Sequence, residues 1–159
     1  MYFFDRDGVL NHDYGYVHTY SKFKWKQNVL KTLKYLNEKK YYLFIITNQA
    51  GIGRGYYSEN QFYELHKKLK IFLCKKKIYI DEVVFCPHHP TKGVGIYKKN
   101  CRCRKPNNLL VQNIFKKWPV NIKNSLMIGD KQSDKKCAEK SKLKFYFSEK
   151  DLYFQIKKK

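Results

Sequence analysis

Short apolar runs alternate with amphipathic segments along most of the chain, and this alternation restricts the fold more than any other feature. Each apolar run is too short for a helix and rich in strand-forming residues, so it predicts a strand. The runs lie at 2–4, 42–46, 78–85, 125–128 and 144–147. Alternating strands and helices predict an α/β fold, with a Rossmann-like parallel central sheet flanked by helices.

Four segments between the strands carry apolar residues at helical spacing and predict helices. They lie at about 28–38, 58–75, 109–118 and 133–142. Ser58 and Gln61 form a capping-box pattern at the start of the second segment. The 159 residues contain no internal repeat and no linker, which predicts a single domain over 1–159.

The sequence also carries expectations about cellular location. No stretch approaches the roughly 18 consecutive apolar residues that a membrane span needs. The chain starts within the strand at 2–4, without a charged leader before it, so we expect no secretory signal. These observations predict a cytoplasmic protein that does not enter membranes.

Polar residues follow three of the predicted strands directly. Asp5 follows the first strand, Thr47 the second and Asp130 the fourth. Ligands of open α/β sheets bind beyond the carboxyl ends of the strands. We therefore expect the three side chains to meet at one edge of the sheet, although they are far apart in sequence.

The first strand end carries two carboxylates, Asp5 and Asp7, followed by Gly8. One carboxylate can attack phosphorus and form an aspartyl-phosphate, and the other can exchange protons with the leaving group and with water. A cluster of acids with oxygen ligands suits Mg²⁺. The alternative interpretation is a plain turn, since Asp and Gly both favour turns.

Further residues strengthen the phosphate-transfer interpretation. Thr47 offers a hydroxyl and backbone N–H groups to a phosphoryl oxygen, and Lys105 can neutralise its charge. Asp130 and Asp134, one helical turn apart, can hold a cation directly and through a supporting hydrogen bond. Each has a simpler alternative: a strand-end Thr, a solvated Lys, and an Asp pair at a helix start.

Cysteines and histidines crowd into one irregular segment, 87–106 and its flanks. Cys86 with His88 and Cys101 with Cys103 form two close pairs of metal ligands. Three thiolates and one imidazole would close a tetrahedral structural Zn²⁺ site. His89 is the competing imidazole, and reduced thiols without metal are the alternative. The remaining cysteines, Cys74 and Cys137, are predicted to be buried thiols in helices.

The net charge is +21, from 34 Lys and Arg against 13 Asp and Glu. Such a charge favours anionic partners, either nucleic acid or a small anionic substrate. The lysines are scattered over predicted helices and clustered at 75–77 and 157–159, without a nucleic-acid-binding motif around them. We expect a small-molecule phosphate substrate, no nucleic-acid partner and a monomer.

Together these residues resemble the four motifs of the haloacid dehalogenase (HAD) superfamily of phosphatases. Within the histidinol-phosphate phosphatase-like subgroup, the chain is most similar to the heptose bisphosphate phosphatases, over nearly its whole length. The motifs that carry this resemblance lie at 5–17, 47–55, 86–90, 101–106 and 128–131.

The resemblance implies a minimal cap, a zinc-binding loop and removal of the 7-phosphate from a heptose 1,7-bisphosphate during synthesis of nucleotide-activated heptose. It implies that Asp5 is the nucleophile and Asp7 the general acid/base. Mg²⁺ would bind Asp5, the backbone carbonyl of Asp7, and Asp130, and His88 rather than His89 would bind zinc. Thr47 and Lys105 would steady the phosphoryl group. The substrate would contact Asp13, Tyr14, Gly15, Tyr16, Thr47, Asn48, Gln49, Ala50, Arg104, Lys105 and Lys131.

Some alternatives remain open at the level of sequence. Arg104 suits a second phosphate because a guanidinium can donate two parallel hydrogen bonds. Asn107 and Asn108 replace a Pro-Gly pair of the family pattern, and the chain ends soon after the last predicted strand. The rival functions are a histidinol-phosphate phosphatase, a polynucleotide phosphatase and a zinc-stabilised nucleic-acid-binding module. The sequence does not determine the preferred anomer.

Overall fold

The computed structural model describes residues 1–158, so Lys159 of the predicted lysine cluster lies outside the described residues. Its centre is a sheet of five strands, β1 (Tyr2–Phe4), β2 (Leu43–Asn48), β3 (Glu82–Cys86), β4 (Leu126–Gly129) and β5 (Lys144–Phe147). Every neighbouring pair is parallel, and the order across the sheet is β3-β2-β1-β4-β5. The predicted parallel α/β fold is confirmed.

Helices cover both faces of this sheet. They are α1 (Val29–Glu38), α2 (Ala50–Gly53), α3 (Glu59–Lys75), α4 (Leu109–Lys117), α5 (Gln132–Lys140) and α6 (Leu152–Lys157). Two short 3₁₀ turns lie at Gly95–Tyr97 and Ile122–Asn124. None of the helices in residues 1–158 is both long enough and apolar enough to cross a bilayer.

The central strand β1 divides the core into two layers because successive side chains point to opposite faces. Phe3 lies opposite Phe44 and Met127 in register, and all three are buried in the layer beneath α4 and α5. Phe4 lies opposite Ile45 and Ile128 in the layer beneath α1 and α6. The short apolar strand is therefore buried on both faces, as parallel strands usually are.

The apolar run at 78–85 contains only the first four residues of β3, which occupies the end of the run and extends to Cys86. Ile78 is buried, but it lies outside β3 in the turn that follows α3, after Lys77 adopts a positive φ of 57°. The carboxylate of Asp81 accepts a hydrogen bond from the Leu43 N–H at 2.7 Å, and β3 begins at the next residue. The sequence pattern cannot distinguish a buried apolar residue in a turn from an apolar residue of a strand.

Two helices were not predicted. Helix α2 is one turn long and lies within the 47–55 motif. Helix α6 begins where Asp151 accepts hydrogen bonds from the N–H groups of Tyr153 and Phe154, and its Leu152 and Ile156 are buried. Its six residues are too few for helical periodicity to stand out.

The predicted burial of the two cysteines outside the Cys/His segment is half correct. Cys137 is fully buried on α5, whereas Cys74 is exposed on α3. The buried stripe of α3 passes through Leu69 and Leu73, which leaves the neighbouring Cys74 facing outward.

The capping box of α3 is present as predicted. Ser58 Oγ accepts a hydrogen bond from the Gln61 N–H at 3.2 Å, and the Gln61 side chain accepts one from the Ser58 N–H at 2.9 Å. We expect Ser58→Ala to lower the free energy of unfolding by about 1 kcal/mol, measured by urea denaturation. Asn60→Ala, an exposed change in the same turn, is the control and should not destabilise; equal losses would contradict a capping role.

Candidate active site

The carboxyl ends of β1 and β4 bring three acids together. Carboxylate oxygens of Asp5, Asp130 and Asp134 all lie within 4.8 Å of one another. Two glycines permit this approach, because a Cβ on Gly8 would lie 2.2 Å from Asp130 Oδ2 and a Cβ on Gly129 would lie 2.2 Å from Asp134 Cβ. Acids that are far apart in sequence thus form one cluster.

Lys105 also contacts this cluster, and it lies near the end of the irregular segment 87–106. Its Nζ lies 2.9 Å from Asp5 Oδ1 and 2.6 Å from Asp134 Oδ1, and it donates to the Ile46 carbonyl at 2.9 Å. Asn48 holds the backbone on both sides, accepting from the Lys105 N–H and donating to its carbonyl oxygen. Lys105 is only 3% exposed, so its charge acts where solvent screens little.

Burial and the charges of neighbouring groups set the electrostatics here. Burial raises the pKa of Asp5 to about 6, and the Asp134 charge adds to the rise while Lys105 opposes it. Burial acts to lower the pKa of Lys105, but Asp5 and Asp134 outweigh it and hold that pKa above its ordinary value. Burial also raises the pKa of Asp130. The negative charge of the cluster exceeds what Lys105 supplies.

The residues fit a divalent cation. Three ionised acids against one ammonium leave an excess of two negative charges, which a dication would balance. Asp130 Oδ1 is buried and has no hydrogen-bond partner, so an acceptor is available for a ligand. Oxygen donors of this kind suit Mg²⁺.

Asp7 is held apart from the acid cluster by a separate network. The buried Arg6 donates to both Asp7 oxygens, with Nη2 2.8 Å from Oδ2. Asn11 donates to Oδ1 at 2.9 Å and Gln49 to Oδ2 at 3.0 Å. Gln49 also donates to Thr47 Oγ1 at 2.8 Å, which links Asp7 to the buried end of β2.

A cavity of about 430 Å³ opens over Asp5 and Asp7. Asp13 and Lys131 form an ion pair of 3.3 Å at its wall. The side chains and backbone that line it come from Asp5, Asp7, Asp13, Gly15, Tyr16, Thr47, Asn48, Gln49, Ala50, Arg54, Tyr57, Arg104, Lys105, Lys131, Ser133 and Asp134.

Most predicted substrate-binding residues are in this lining, with one exception. Tyr14 is 65% exposed, stacks on His12 and lies outside the lining. Arg54, Tyr57 and Ser133 line the cavity but were not predicted. Arg54 lies within the 47–55 motif, and its positive charge was the one feature of the sequence that could have marked it as a substrate-binding residue. Tyr57 and Ser133 carried none, since each is an ordinary residue beside a helix start.

The predicted zinc ligands lie together. Cys86 Sγ is 3.4 Å from Cys101 Sγ and 3.0 Å from Cys103 Sγ, and His88 Nδ1 is 3.3 Å from Cys103 Sγ. Tetrahedral Zn–S bonds place thiolate sulfurs about 3.8 Å apart, and these atoms lie somewhat closer together than that, near enough to share one ion. They could hold a metal ion. His89 lies outside the group, with Nε2 3.2 Å from Arg54.

The Cys/His loop is tied to the cavity. Arg104, which lines the cavity, donates to the His88 carbonyl at 3.1 Å. Asn107 donates to the Cys101 carbonyl at 3.0 Å, so the residue that replaces the family's Pro-Gly pair fastens the loop. Arg104 and Lys105 therefore depend on this loop for their positions.

The sequence is similar to those of known proteins. The family described as "Polynucleotide kinase 3 phosphatase" matches residues 1–158. D-glycero-beta-D-manno-heptose-1,7-bisphosphate 7-phosphatase of Haemophilus influenzae is 41% identical over 89% of this chain and 77% of its own length. D-glycero-alpha-D-manno-heptose-1,7-bisphosphate 7-phosphatase of Burkholderia mallei is 41% identical over 83% of this chain and 70% of its own.

Solved structures agree. A putative HAD-like phosphatase from Mesorhizobium loti superposes with a TM-score of 0.83 at 27% identity, over 89% of this chain and 68% of that one. D,D-heptose 1.7-bisphosphate phosphatase from B. bronchiseptica, complexed with magnesium and phosphate, superposes with a TM-score of 0.81 at 25% identity, over 91% and 78%.

The fold and the acid cluster thus define a phosphatase of the HAD type. Relatives at 41% identity over most of both chains narrow the class further. The chain belongs to the family of D-glycero-manno-heptose-1,7-bisphosphate 7-phosphatases, within the broader family that the polynucleotide kinase 3 phosphatase description covers.

Lys105 offers a test of the cluster's electrostatics. In protein stripped of divalent cations with EDTA, we expect Lys105→Met to lower the free energy of unfolding by about 3 to 5 kcal/mol, because it leaves buried carboxylates unpaired. Urea denaturation measures the loss. Lys136→Met, at an exposed position of α5, should change stability by no more than about 0.5 kcal/mol. Similar small effects for both variants would show that the buried pairing does not stabilise the fold.

Proposed function

We propose that the protein is a Mg²⁺-dependent phosphatase that removes the 7-phosphate from D-glycero-D-manno-heptose 1,7-bisphosphate. The observation that carries the proposal is the buried Asp5–Lys105–Asp134 arrangement beside Asp130, at the carboxyl edge of the sheet. Relatives at 41% identity are named for this activity. The reaction belongs to the synthesis of nucleotide-activated heptose.

Asp5 is the proposed nucleophile. Its carboxylate oxygen attacks phosphorus, the bond between phosphorus and the sugar oxygen breaks, and an aspartyl-phosphate forms. Asp7 gives a proton to the departing sugar oxygen and then takes one from the water that attacks the aspartyl-phosphate. That second attack releases inorganic phosphate and restores both carboxyl groups.

Asp7 suits the acid/base role because its orientation is fixed. Arg6, Asn11 and Gln49 together donate to both of its oxygens. A carboxyl group held in one orientation can meet the leaving oxygen without first searching rotamers. Arg6 is thus proposed as a positioning residue for Asp7.

Mg²⁺ would be held by Asp5, Asp130 and the backbone carbonyl of Asp7, and Asp134 would support the site without binding the ion directly. When bound, the ion neutralises phosphoryl charge and lowers the repulsion among the acids. Support comes from the unpartnered Asp130 oxygen and from the relative that binds magnesium and phosphate. Asp134 instead orients Lys105 and accepts from the Lys131 N–H at 3.0 Å.

The rest of the cavity would bind the sugar and both phosphates. Its volume of about 430 Å³ falls in the range of small-ligand sites. Thr47 and Lys105 would steady the transferring phosphoryl group, and Arg104 would grip the second phosphate. The remaining proposed contacts in the lining are Asp13, Gly15, Tyr16, Asn48, Gln49, Ala50 and Lys131, while Tyr14, also proposed from the resemblance, lies outside the lining.

Zinc completes the proposal as a structural ion. Cys86, His88, Cys101 and Cys103 would hold it in a closed tetrahedral site without a position for substrate. A reduced cytoplasmic location fits thiolates that bind metal rather than form disulfides. A monomer, acting as one domain on a small molecule without a nucleic-acid partner, is part of the same proposal.

Substrate choice can be tested directly. We expect phosphate release from heptose 1,7-bisphosphate to exceed release from histidinol phosphate and from a phosphorylated oligonucleotide by on the order of 100-fold in kcat/KM. The oligonucleotide belongs in the panel because the family description and the charge of +21 favour it as second candidate. Comparing the α and β anomers settles the preference, since relatives of both kinds are 41% identical.

The nucleophile is tested in the same assay. Asp5→Asn should lower kcat by on the order of 10³-fold or more, since an amide cannot form the aspartyl-phosphate. Glu64→Gln, at an exposed position of α3, is the control and should leave kcat unchanged. Equal low rates on all substrates, unaffected by Asp5→Asn, would overturn the enzyme assignment.

The zinc assignment has its own test. Cys101→Ser should lower both the zinc found by elemental analysis and the Tm, because a lost ligand weakens the site that ties the loop. Cys74→Ser removes an exposed thiol outside the cluster and should change neither value. Unchanged zinc content in Cys101→Ser would refute the assignment.

A further inference from the structure

A second cavity, of about 400 Å³, lies between α3, the loop after β1, and the strands β2 and β3. Its walls are mostly apolar, and its lining includes Phe23, Trp25, Leu69, Leu73 and Ile78. None of these residues belongs to the active-site lining. Its size and apolar character are those of a small-ligand site, which usually adds a few polar groups for orientation.

Arg6 supplies one such polar group. It lines this second cavity and is only 1% exposed. Its Nη2 and Nε are engaged with Asp7, Val17 and Gln49, but Nη1 is buried and has no hydrogen-bond partner. A buried donor without a partner costs free energy, so the site favours a ligand that accepts a hydrogen bond.

His66 supplies the second polar group, an acceptor. Its Nδ1 lies 2.8 Å from the Phe62 carbonyl oxygen, which can only accept, so Nδ1 carries the proton. Burial, with the nearby Arg6 charge, lowers the pKa of His66 to about 4, so the ring is neutral near pH 7. Its buried Nε2 is then an acceptor without a partner, in a residue that lines the same cavity.

The geometry points to a second ligand site: this cavity binds a small, neutral, apolar molecule that carries one hydroxyl group, of the phenol class. The hydroxyl oxygen accepts from Arg6 Nη1, and its hydrogen is donated to His66 Nε2. The apolar body packs against the aromatic and aliphatic walls.

Charge argues for a neutral ligand rather than an anion. Asp7 already neutralises Arg6 through the paired hydrogen bonds. A carboxylate would place its lone pairs against the lone pair of the neutral His66 Nε2. A hydroxyl satisfies both groups because it donates and accepts at once.

Arg6 connects this site to the active site. The same guanidinium that offers Nη1 to the ligand donates to Asp7 and to the Gln49 side chain. Gln49 in turn donates to Asp7. A ligand in the second cavity should therefore alter the environment of the Gln49 side chain, although that residue does not line the cavity.

Phenol, toluene and benzoate are matched probes that differ in one group. We expect phenol to bind about tenfold more tightly than toluene, the effect of about one buried hydrogen-bond pair. Benzoate should bind more weakly than phenol at pH 7. Heteronuclear NMR titration of the full chain should show shifts at Leu69 and Leu73, and at the Gln49 side-chain amide.

Variants locate the site. His66→Phe should abolish the preference for phenol over toluene, because it removes the acceptor and keeps an aromatic ring. Leu69→Trp should fill the cavity and prevent binding of both probes. Ile71→Trp adds the same side chain at an exposed position of α3 and should leave binding unchanged.

Several results would overturn the proposal, and the comparison of probes on the unaltered protein needs no variant to fold. No saturable shift with phenol would mean that the cavity holds water only. Equal affinity for phenol and toluene would refute the hydroxyl contact, and tightest binding by benzoate would assign the site to an anion. Probe affinity that falls as protein concentration rises would indicate that a second copy of the chain covers the cavity.

Discussion

A buried ammonium group between two carboxylates holds the carboxyl edge of this sheet together. Lys105 contacts Asp5 and Asp134, and it arrives there from a segment that starts beyond β3. An unpaired charge at a site that excludes water would raise the free energy of the folded state, so each of the three groups needs the others. Two neighbouring elements contact this pairing: Asn48 of β2 accepts from the Lys105 N–H, and the Asp134 carboxylate also accepts from the Lys131 N–H at the start of α5.

The acids divide into two groups with different partners, and this division suits two-step phosphoryl transfer. Asp5 and Asp134 share Lys105, and together with the nearby Asp130 they leave excess negative charge for a cation. Asp7 lies only two residues from Asp5, but its two carboxylate oxygens accept hydrogen bonds from the Arg6 guanidinium instead. One strand end therefore presents a carboxylate suited to metal and phosphorus and another suited to proton exchange. The Cys/His loop adds Arg104, which is fastened to His88.

Local patterns predicted most of the framework because short buried strands and capped helices leave marks in neighbouring residues. The capping box of Ser58 and the apolar run of β4 are examples. Local patterns failed where packing, not periodicity, decided the outcome: Ile78 is buried from a turn, Cys74 faces outward, and α6 is short and depends on its Asp151 cap. Tyr57 entered the site through a hydrogen bond to Gln49 that no local pattern reveals.

The sequence by itself determined the alternating architecture and the kinds of chemical group at each strand end, since both depend on residue type and spacing. It also indicated the cysteines and the two histidines that could form a metal site, and the structure places His88 with the cysteines and His89 outside the group. Only the tertiary structure decided how those groups pair, because pairing depends on distances between residues up to 129 positions apart, as from Asp5 to Asp134. It alone showed that Arg6 lines the second cavity and donates to Asp7, which lines the first, with one nitrogen left without a hydrogen-bond partner.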